Sequence, residues 1–143
     1  MTSIDFYFNA EDRLQVACRL AGKAMKQGQR LVIYAPDGET AARIDKMLWT
    51  WPATGFVPHC RSQAPLAAET PVLIASGEEM PEGCELLLNL GSDCPPHFER
   101  FARLLEVVSV HDEEKASGRS RYRFYKERGY PIASHDLAQV AEQ

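Results

Sequence analysis

Short apolar runs alternate along this chain with longer segments whose apolar residues recur at helical spacing. Runs of this length, rich in branched and aromatic residues, predict strands within a sheet. We place such strands at residues 5–8, 30–34, 72–76, 84–90 and 105–110. The amphipathic segments between the first of them predict two helices, one from Asn9 or Asp12 to about Gln27 and one from Asp37 to about Trp49.

Two further helices are predicted in the second half of the chain. Residues 95–104 begin with two prolines and carry Phe98, Phe101 and Leu104, which predicts a short helix. Residues 112–129 predict a longer, strongly basic helix that ends at a glycine.

The order of these elements predicts the fold class. Strands that alternate with helices indicate a single α/β domain over residues 1–143, with a mostly parallel central sheet flanked by helices, in a Rossmann-like architecture. Residues 56–69 are predicted to be irregular, because Pro58 and Pro65 interrupt any long element. Residues 131–143 are predicted to form a mixed, frayed C-terminal tail.

The composition is that of an ordinary globular protein with an acidic balance. Hydrophobic residues make up 45% of the 143 residues, charged residues make up 25%, and the net charge is −4. This acidity argues against bulk coating of nucleic acid, which takes a net basic domain. No apolar run approaches the roughly 20 residues of a membrane span, and residues 1–13 do not resemble a signal peptide. We therefore expect a cytoplasmic protein with reduced thiols, at Cys18, Cys60, Cys84 and Cys94.

Nucleotide, metal and catalytic chemistry find little support in the motifs. Parallel α/β sheets often bind nucleotides where the first strand meets its helix, but that turn, FNAEDR, contains no glycine. Asp37 lies where a ribose-binding acid would lie, yet beside Gly38 it is predicted to be a helix N-cap. The cysteines and histidines form no closely spaced ligand pairs. A cysteine–histidine nucleophile stays open, because its members need only meet in space. We expect no nucleotide site, metal, cofactor or catalytic site.

The most basic part of the chain is the segment of residues 115–130, KASGRSRYRFYKERGY. It holds six basic residues and one acid, a balance of +5, so the remainder of this −4 chain carries −9. At about 100° per residue one helix face collects Lys115, Arg119, Tyr122, Arg123 and Lys126, here called the basic face. Phe124 points the opposite way and is predicted to anchor the core. The basic face is either a binding site for an anionic partner or a solvated helix face, and the residues alone leave both open.

The most aromatic part of the chain is the segment of residues 48–59, LWTWPATGFVPH. Aromatic side chains on an irregular surface segment favour a protein interface. The alternative is a loop that folds over the edge of the sheet and buries its rings. The candidate interface residues are Trp49, Trp51, Phe56 and Pro58.

These two segments, taken in order, resemble the chi subunit of bacterial DNA polymerase III. The similarity is carried by LW-x-x-P-x-x-x-FVPH at residues 48–59 and by R-x-RYR-x-YKERGY at residues 119–130. The early FYF strand, the strand and turn GQRLVIYAPD and the later EVV strand agree in position. The resemblance covers nearly the full length of the chain and is less clear between residues 61 and 82.

The resemblance implies a function and two partners. It implies a non-catalytic accessory subunit of the polymerase holoenzyme, associated with the clamp loader in DNA replication, that pairs with the psi subunit. It also implies binding to the acidic C-terminal tail of single-stranded-DNA-binding protein, here called the SSB tail. Lys115, Arg119 and Tyr122 match the tail-binding positions of the family, and the predicted tail site also includes Arg123 and Lys126 of the same face. Trp49 and Phe56 match its psi-facing region, and the predicted psi site also includes Trp51 and Pro58.

Two other functions remain as alternatives at this point. The tyrosines of the basic segment could stack on bases, which would make the chain a direct binder of single-stranded nucleic acid, although its overall acidity argues against this. A small α/β nucleotide-binding enzyme is the weaker alternative, because it needs a phosphate loop or an acid–base pair.

Overall fold

The computed structural model describes residues 2–50, 58–62, 64, 67–77 and 80–140 of the chain. Over these residues the chain forms seven strands, four α-helices and two short 3-10 turns. In chain order the strands and α-helices are β1 (Ser3–Ala10), α1 (Arg13–Lys26), β2 (Leu31–Tyr34), α2 (Gly38–Thr50), β3 (His59–Arg61), β4 (Val72–Ala75), β5 (Leu86–Asn89), β6 (Arg103–Ser109), α3 (Asp112–Glu127), β7 (Ile132–Asp136) and α4 (Leu137–Val140). The 3-10 turns are Ala67–Glu69 and Phe98–Arg100.

The described strands form one sheet in the order β3-β4-β2-β5-β6-β1-β7. Every described pair of neighbouring strands is parallel. The helices cover both faces of this sheet, so the prediction of an α/β fold with a mostly parallel sheet is confirmed. None of the described helices is long and apolar enough to span a membrane.

Alternation along the central strands divides the core into two layers. In β4, Val72 and Ile74 belong to the layer shared with α1 and α2, while Leu73 belongs to the layer shared with α3. The strands β2, β4 and β5 are almost completely buried, as their unbroken hydrophobicity predicts. Helix α3 packs on β6 in the second layer, and a groove lies beside it.

The predicted starts of the first two helices are confirmed by their caps. The Asp12 side chain accepts hydrogen bonds from the backbone N–H groups of Leu14 and Gln15, at 3.0 and 3.2 Å. The Asp37 side chain accepts one from Thr40 N at 3.2 Å, so Asp37 is a helix cap, as predicted. Both aspartates therefore satisfy N–H groups that a helix start would otherwise leave unpaired.

Three local predictions differ from the structure. Within residues 56–69, which were expected to be irregular, the described part contains the short strand β3 at the sheet edge. The segment 95–104 forms a single 3-10 turn at Phe98–Arg100, and Leu104 belongs to β6. The tail 131–143, expected to be frayed, contains β7 and α4.

Strand β7 is attached to β1 by polar contacts that its sequence, IASHD, does not reveal. His135 Nε2 lies 3.0 Å from Asp5 Oδ1, and Arg103 Nη2 donates to Asp5 Oδ2 at 2.7 Å. The ring of His135 also stacks on that of Tyr7, with centroids 4.6 Å apart. Burial of Asp5 opposes its ionisation, but hydrogen bonds from His135 and Arg103 outweigh this and hold its pKa below the ordinary value.

Candidate functional site

A groove of about 590 Å³ runs between α3 and the edge strand β7. Its volume lies within the usual range for ligand pockets, roughly 300–1,000 Å³. All five residues of the basic face line it, so the structure brings the predicted residues together at one site. The other lining residues come from β1, β6, β7 and α3 and are Phe6, Phe8, Asn9, Val108, Ser109, Gly118 and Ser134.

The four cations of the basic face are available to a ligand. Among the described residues, the ion pairs involve other groups, and none of them includes Lys115, Arg119, Arg123 or Lys126. Arg119, Arg123 and Lys126 are exposed, and Lys115 is half-buried. Four unpaired cations along one helix face attract carboxylates or phosphates, because no carboxylate of the described chain neutralises them.

The floor of the groove is apolar and Tyr122 forms part of its wall. The ring of Tyr122 meets that of Phe6 edge-on, with centroids 5.3 Å apart. Lys126 Nζ lies 5.9 Å from the centre of the Tyr122 ring, within the range of a cation–π contact. The half-buried tyrosine therefore has one side in the core and one side beside the cations. A ligand with an apolar end and several negative charges fits this division.

Gly118 allows α3 to lie very close to the sheet beneath the groove. A Cβ added at this glycine would lie 2.7 Å from Cγ2 of Val108, much less than an ordinary van der Waals contact. Gly118 and Val108 both line the groove. This close approach sets how deep the groove is at that point.

The sequence analysis did not identify a buried polar cluster on the adjacent side of α3. Glu106 on β6 is fully buried and accepts hydrogen bonds from Arg121 Nε at 3.0 Å and from Tyr125 Oη at 2.6 Å. Asn89 Nδ2 lies 3.1 Å from both oxygens of the same carboxylate. We call Glu106, Arg121, Tyr125 and Asn89 the Glu106 cluster. The arginine had been counted as part of the basic segment, whereas the structure uses it inside the protein.

Burial dominates the electrostatics of this cluster. Desolvation raises the pKa of Glu106, and the charge of Arg121 and the hydrogen bonds from Tyr125 and Asn89 oppose that rise. Burial, together with the neighbouring carboxylate, also raises the pKa of Tyr125. Tyr125, which is completely buried, anchors α3 in the core. Phe124, which was predicted to anchor the core, packs against it but is only half-buried, and its ring also lies 4.2 Å from the Arg128 guanidinium.

The predicted aromatic interface is described in part. Trp49, near the end of α2, is 58% exposed and meets the ring of His59 edge-on at a centroid distance of 4.9 Å. His59 Nε2 lies 2.9 Å from Asp45 Oδ1, which holds the imidazole beneath the tryptophan. Pro58 is half-buried, while Trp51 and Phe56 lie outside the described residues.

At the carboxyl ends of β5 and β6, where many α/β proteins bind nucleotides, the side chain of Arg13 is bonded to the backbone. Arg13 donates to the backbone carbonyls of Val107 at 2.8 Å, Gly91 at 3.0 Å and Leu90 at 3.2 Å. The start of α1, where a phosphate would bind, is capped by the Asp12 carboxylate. Asp12 and Arg13 are therefore already engaged with backbone atoms of the same chain, although a pocket of about 330 Å³ that Arg43 also lines remains beside them.

Comparison with known proteins shows the family of this chain. The chain matches the family described as DNA polymerase III chi subunit, HolC, over residues 1–133. It is 36% identical over 144 residues to the DNA polymerase III subunit chi of Pseudomonas aeruginosa, covering 98% of this chain and 100% of that protein. The subunit chi of Escherichia coli is 28% identical over 82% of this chain and 81% of its own length. That of Haemophilus influenzae is 27% identical over 86% of both. The chain therefore belongs to the family of DNA polymerase III chi subunits, which act in DNA replication.

Proposed function

We propose that this chain is a non-catalytic accessory subunit that links the psi subunit of DNA polymerase III to the SSB tail. In this role it is associated with the clamp loader and contacts DNA only through its protein partners. The groove beside α3 receives the SSB tail, and the surface around Trp49 binds psi. The proposal assigns one partner to each of two separate surfaces.

The observation that carries the proposal is the combination of unpaired cations with an apolar floor. The SSB tail ends in acidic residues followed by an apolar residue and a free carboxylate. Arg119, Arg123 and Lys126 offer charge-assisted hydrogen bonds to its carboxylates. Phe6 and Tyr122 offer an apolar surface to its last side chain. A groove of this kind favours an acidic peptide over bare single-stranded DNA, since it presents a single half-buried tyrosine and not a row of exposed stacking rings.

The surface around Trp49 supports the second partner. Large exposed aromatic side chains are unfavourable in water and are enriched among the residues that dominate binding energy at interfaces. The contact between Trp49 and His59 holds the indole ring in place, which lowers the entropy that it would lose on binding. Trp51 and Phe56 are assigned to the same interface on the resemblance alone.

The absence of catalysis is proposed from the occupied carboxyl edge. An α/β enzyme acting on a nucleotide needs free N–H groups at a helix start or free cations beside the strands. In this chain the Asp12 side chain accepts hydrogen bonds from N–H groups at the start of α1, and the cation Arg13 is bonded to backbone carbonyls. A single-site substitution that abolished magnesium-dependent turnover of a nucleotide by the pure protein would contradict this part of the proposal.

The test of tail binding is a calorimetric titration with an acidic peptide that ends in an apolar residue and a free carboxylate. Arg119→Ala removes a charge-assisted contact of about 1.5–3 kcal/mol, so we expect the affinity to fall about tenfold or more. The matched control is Arg19→Ala, which removes the same charge from the exposed side of α1 on the other face of the sheet. Binding by the parent protein should weaken as salt is raised, because exposed charges are screened.

Several results would count against this site. An unchanged affinity in both Arg119→Ala and Tyr122→Ala would place the tail elsewhere, as would an equal loss in Arg19→Ala. If a peptide that lacks its last residue binds as tightly as the full peptide, the apolar floor of the groove does not contribute to recognition. A second titration with labelled single-stranded DNA, with and without the single-stranded-DNA-binding protein, separates the indirect role from direct DNA binding.

A further inference from the structure

Helix α3 has two functional sides, and the buried side is held by an unusual number of polar contacts. Glu106 is completely buried in the sheet, and two of the donors to its carboxylate, Arg121 and Tyr125, come from α3. Burying a carboxylate is unfavourable unless several donors are aimed at it. The stability of this arrangement therefore depends on α3 keeping both donors in register with the strand.

The same side of α3 is also attached to the loop that follows β5. Arg121 Nη1 donates to the Ser92 carbonyl at 2.9 Å, and Ser117 Oγ donates to the same carbonyl at 2.6 Å. Ser117, Arg121 and Tyr125 are spaced four residues apart, so they form a single stripe along the helix. This stripe connects the helix to β6 and to the loop after β5 at the same time.

Such contacts tolerate little rotation of the helix. A side chain at the surface of a helix lies about 5–6 Å from the axis, so a rotation of about 10° moves it by about 1 Å. The useful range of N–H···O distances is only about 0.5 Å wide. A rotation of about 10° would therefore break the contacts of Arg121 and Tyr125 to Glu106. The cluster thus restricts the rotation of α3 about its axis to less than about 10°.

Tyr122 is the residue of the basic face that lies nearest to this stripe. At about 100° per residue, Tyr125 and Arg121 point roughly 60–100° away from Tyr122, and Gly118 lies between them. A rotation that loosens the stripe would shift Tyr122 relative to Phe6 and displace Lys115 and Arg119 relative to the groove. The position of the basic face thus follows the position of the buried stripe.

We propose that Glu106, Arg121 and Tyr125 are positioning residues for the groove, fixing the rotation of α3 so that the basic face meets the ligand. The proposal rests on the function proposed above, in which the ligand of the groove is an acidic peptide. The three residues do not touch that peptide. They act by fixing the positions of Tyr122, Lys115 and Arg119. Changes in the buried cluster should therefore change the affinity of the groove for the peptide.

Two substitutions test this without changing the charge of the protein. Arg121→Lys keeps the positive charge but loses the planar fork that reaches Glu106 and Ser92 together. Tyr125→Phe keeps the ring in its aromatic contacts and removes only the hydroxyl that donates to Glu106. The control is Arg103→Lys, the same change at an arginine that pairs with Asp5 on the opposite layer of the core.

Two measurements are made on each variant of the full chain, at a temperature where denaturation curves show it to be fully folded. The first is the affinity of the acidic peptide by calorimetry, and the second is the set of backbone amide shifts of residues 115–126 in the free protein. We expect both Arg121→Lys and Tyr125→Phe to lose about fivefold or more in affinity and to shift the amides of Lys115 and Arg119. Arg103→Lys should change neither.

The outcomes separate positioning from stability alone. Parent-like affinity and parent-like amide shifts in folded Arg121→Lys and Tyr125→Phe, with only a lower unfolding midpoint, would overturn the proposal. Equal losses in Arg103→Lys would overturn it as well. If the parent protein does not bind the peptide, the proposed function fails. The amide shifts of the basic face then still decide whether the cluster orients α3.

Discussion

Replacing Gly118 with alanine measures how closely α3 must lie on the sheet. The added Cβ would lie 2.7 Å from Cγ2 and 3.0 Å from Cγ1 of Val108. Favourable contacts between carbon atoms lie at about 3.5–4.0 Å. The helix and strand must therefore separate by up to about 1 Å, or Val108 must leave its preferred rotamer.

The expected free-energy change is the difference between two opposing effects. Alanine is more favourable than glycine inside a helix by about 1 kcal/mol. Forcing an extra methyl group into a well-packed core costs about 1–3 kcal/mol. Since the overlap at Gly118 involves two methyl groups of a buried strand residue, we expect a net loss of about 1 kcal/mol in the free energy of unfolding.

A double-mutant cycle with Val108→Ala isolates the contact. Val108→Ala alone destabilises the protein because it leaves a cavity under α3. In the double variant the new methyl group at position 118 fills part of that cavity. We therefore expect the double variant to be more stable than the sum of the single changes by about 1 kcal/mol or more.

The assay is denaturant unfolding with the slope m checked for constancy. Gly38→Ala is the control, because this glycine is the first residue of α2 and a Cβ there meets nothing within 4 Å. Gly38→Ala should be neutral or slightly stabilising. If the cycle between Gly118 and Val108 is additive within about 0.5 kcal/mol, the close approach of α3 does not limit the packing and the reasoning is refuted.

Three further predictions concern other parts of the molecule. Trp49→Ala should weaken psi binding by about 2 kcal/mol or more. The control is Val110→Ala, which changes the other large hydrophobic residue that is exposed in the described chain and should leave psi binding unchanged. If both variants bind psi equally well, the interface lies elsewhere. Asp5→Asn should lower the free energy of unfolding at neutral pH, because the folded pKa of Asp5 lies below its unfolded value. The difference in the free energy of unfolding between parent and variant should have its full size above about pH 4 and become smaller as the pH falls through the folded pKa of Asp5. A difference that grows as the pH falls, measured by denaturation, would contradict this. Burial raises the pKa of Cys18 to about 11, so iodoacetamide at pH 8 should alkylate the half-buried Cys60 well before Cys18. Mass spectrometry of the digested protein measures the order, and earlier alkylation of Cys18 would contradict the prediction.

The sequence was sufficient to predict the central strands and α3, because each carries a strong local pattern. The runs at β2, β4 and β5 are apolar without interruption, as strands buried on both faces must be. The five residues of the basic face recur at helical spacing, so any helix over this segment collects them on one side. Their placement on one side of α3 needed no tertiary information beyond the existence of the helix, whereas the groove itself also depends on β1, β6 and β7.

The elements that were mispredicted lack such a pattern for physical reasons. Strand β3 has three residues and lies at the sheet edge, so it offers too short a run to recognise. Strand β7 is also an edge strand, and its residues Ala133 and Ser134 are exposed. An edge strand can therefore be polar, and here the contacts of Asp5 with His135 take the place of an apolar signal.

The Glu106 cluster could not be predicted from single residues. An arginine in a basic helix and a glutamate in an apolar strand are each ordinary surface residues by composition, and their pairing appears only when β6 and α3 are in contact. One signal was present: Glu106 interrupts the apolar strand LLEVVS, which called for a buried partner. Arg121 lies in the phase of the buried Gly118 and Tyr125, and its phase distinguishes it from the other cations of the helix.

The proposed site in the groove differs from the usual location of a ligand site in an α/β fold. Open parallel sheets commonly bind ligands at the carboxyl ends of adjacent strands whose helices lie on opposite faces, and β1 and β6 meet this condition, because α1 and α3 belong to different layers. At that position Arg13 and Asp12 are bonded to the backbone, and a pocket of about 330 Å³ lies beside them. The unpaired cations lie instead on the side of α3 that faces the edge strand. A site at this open edge can admit an extended peptide from another protein. The polarity of the sheet alone predicts a ligand at the carboxyl ends of the strands, whereas the side chains of α3 are the basis of the proposed peptide site.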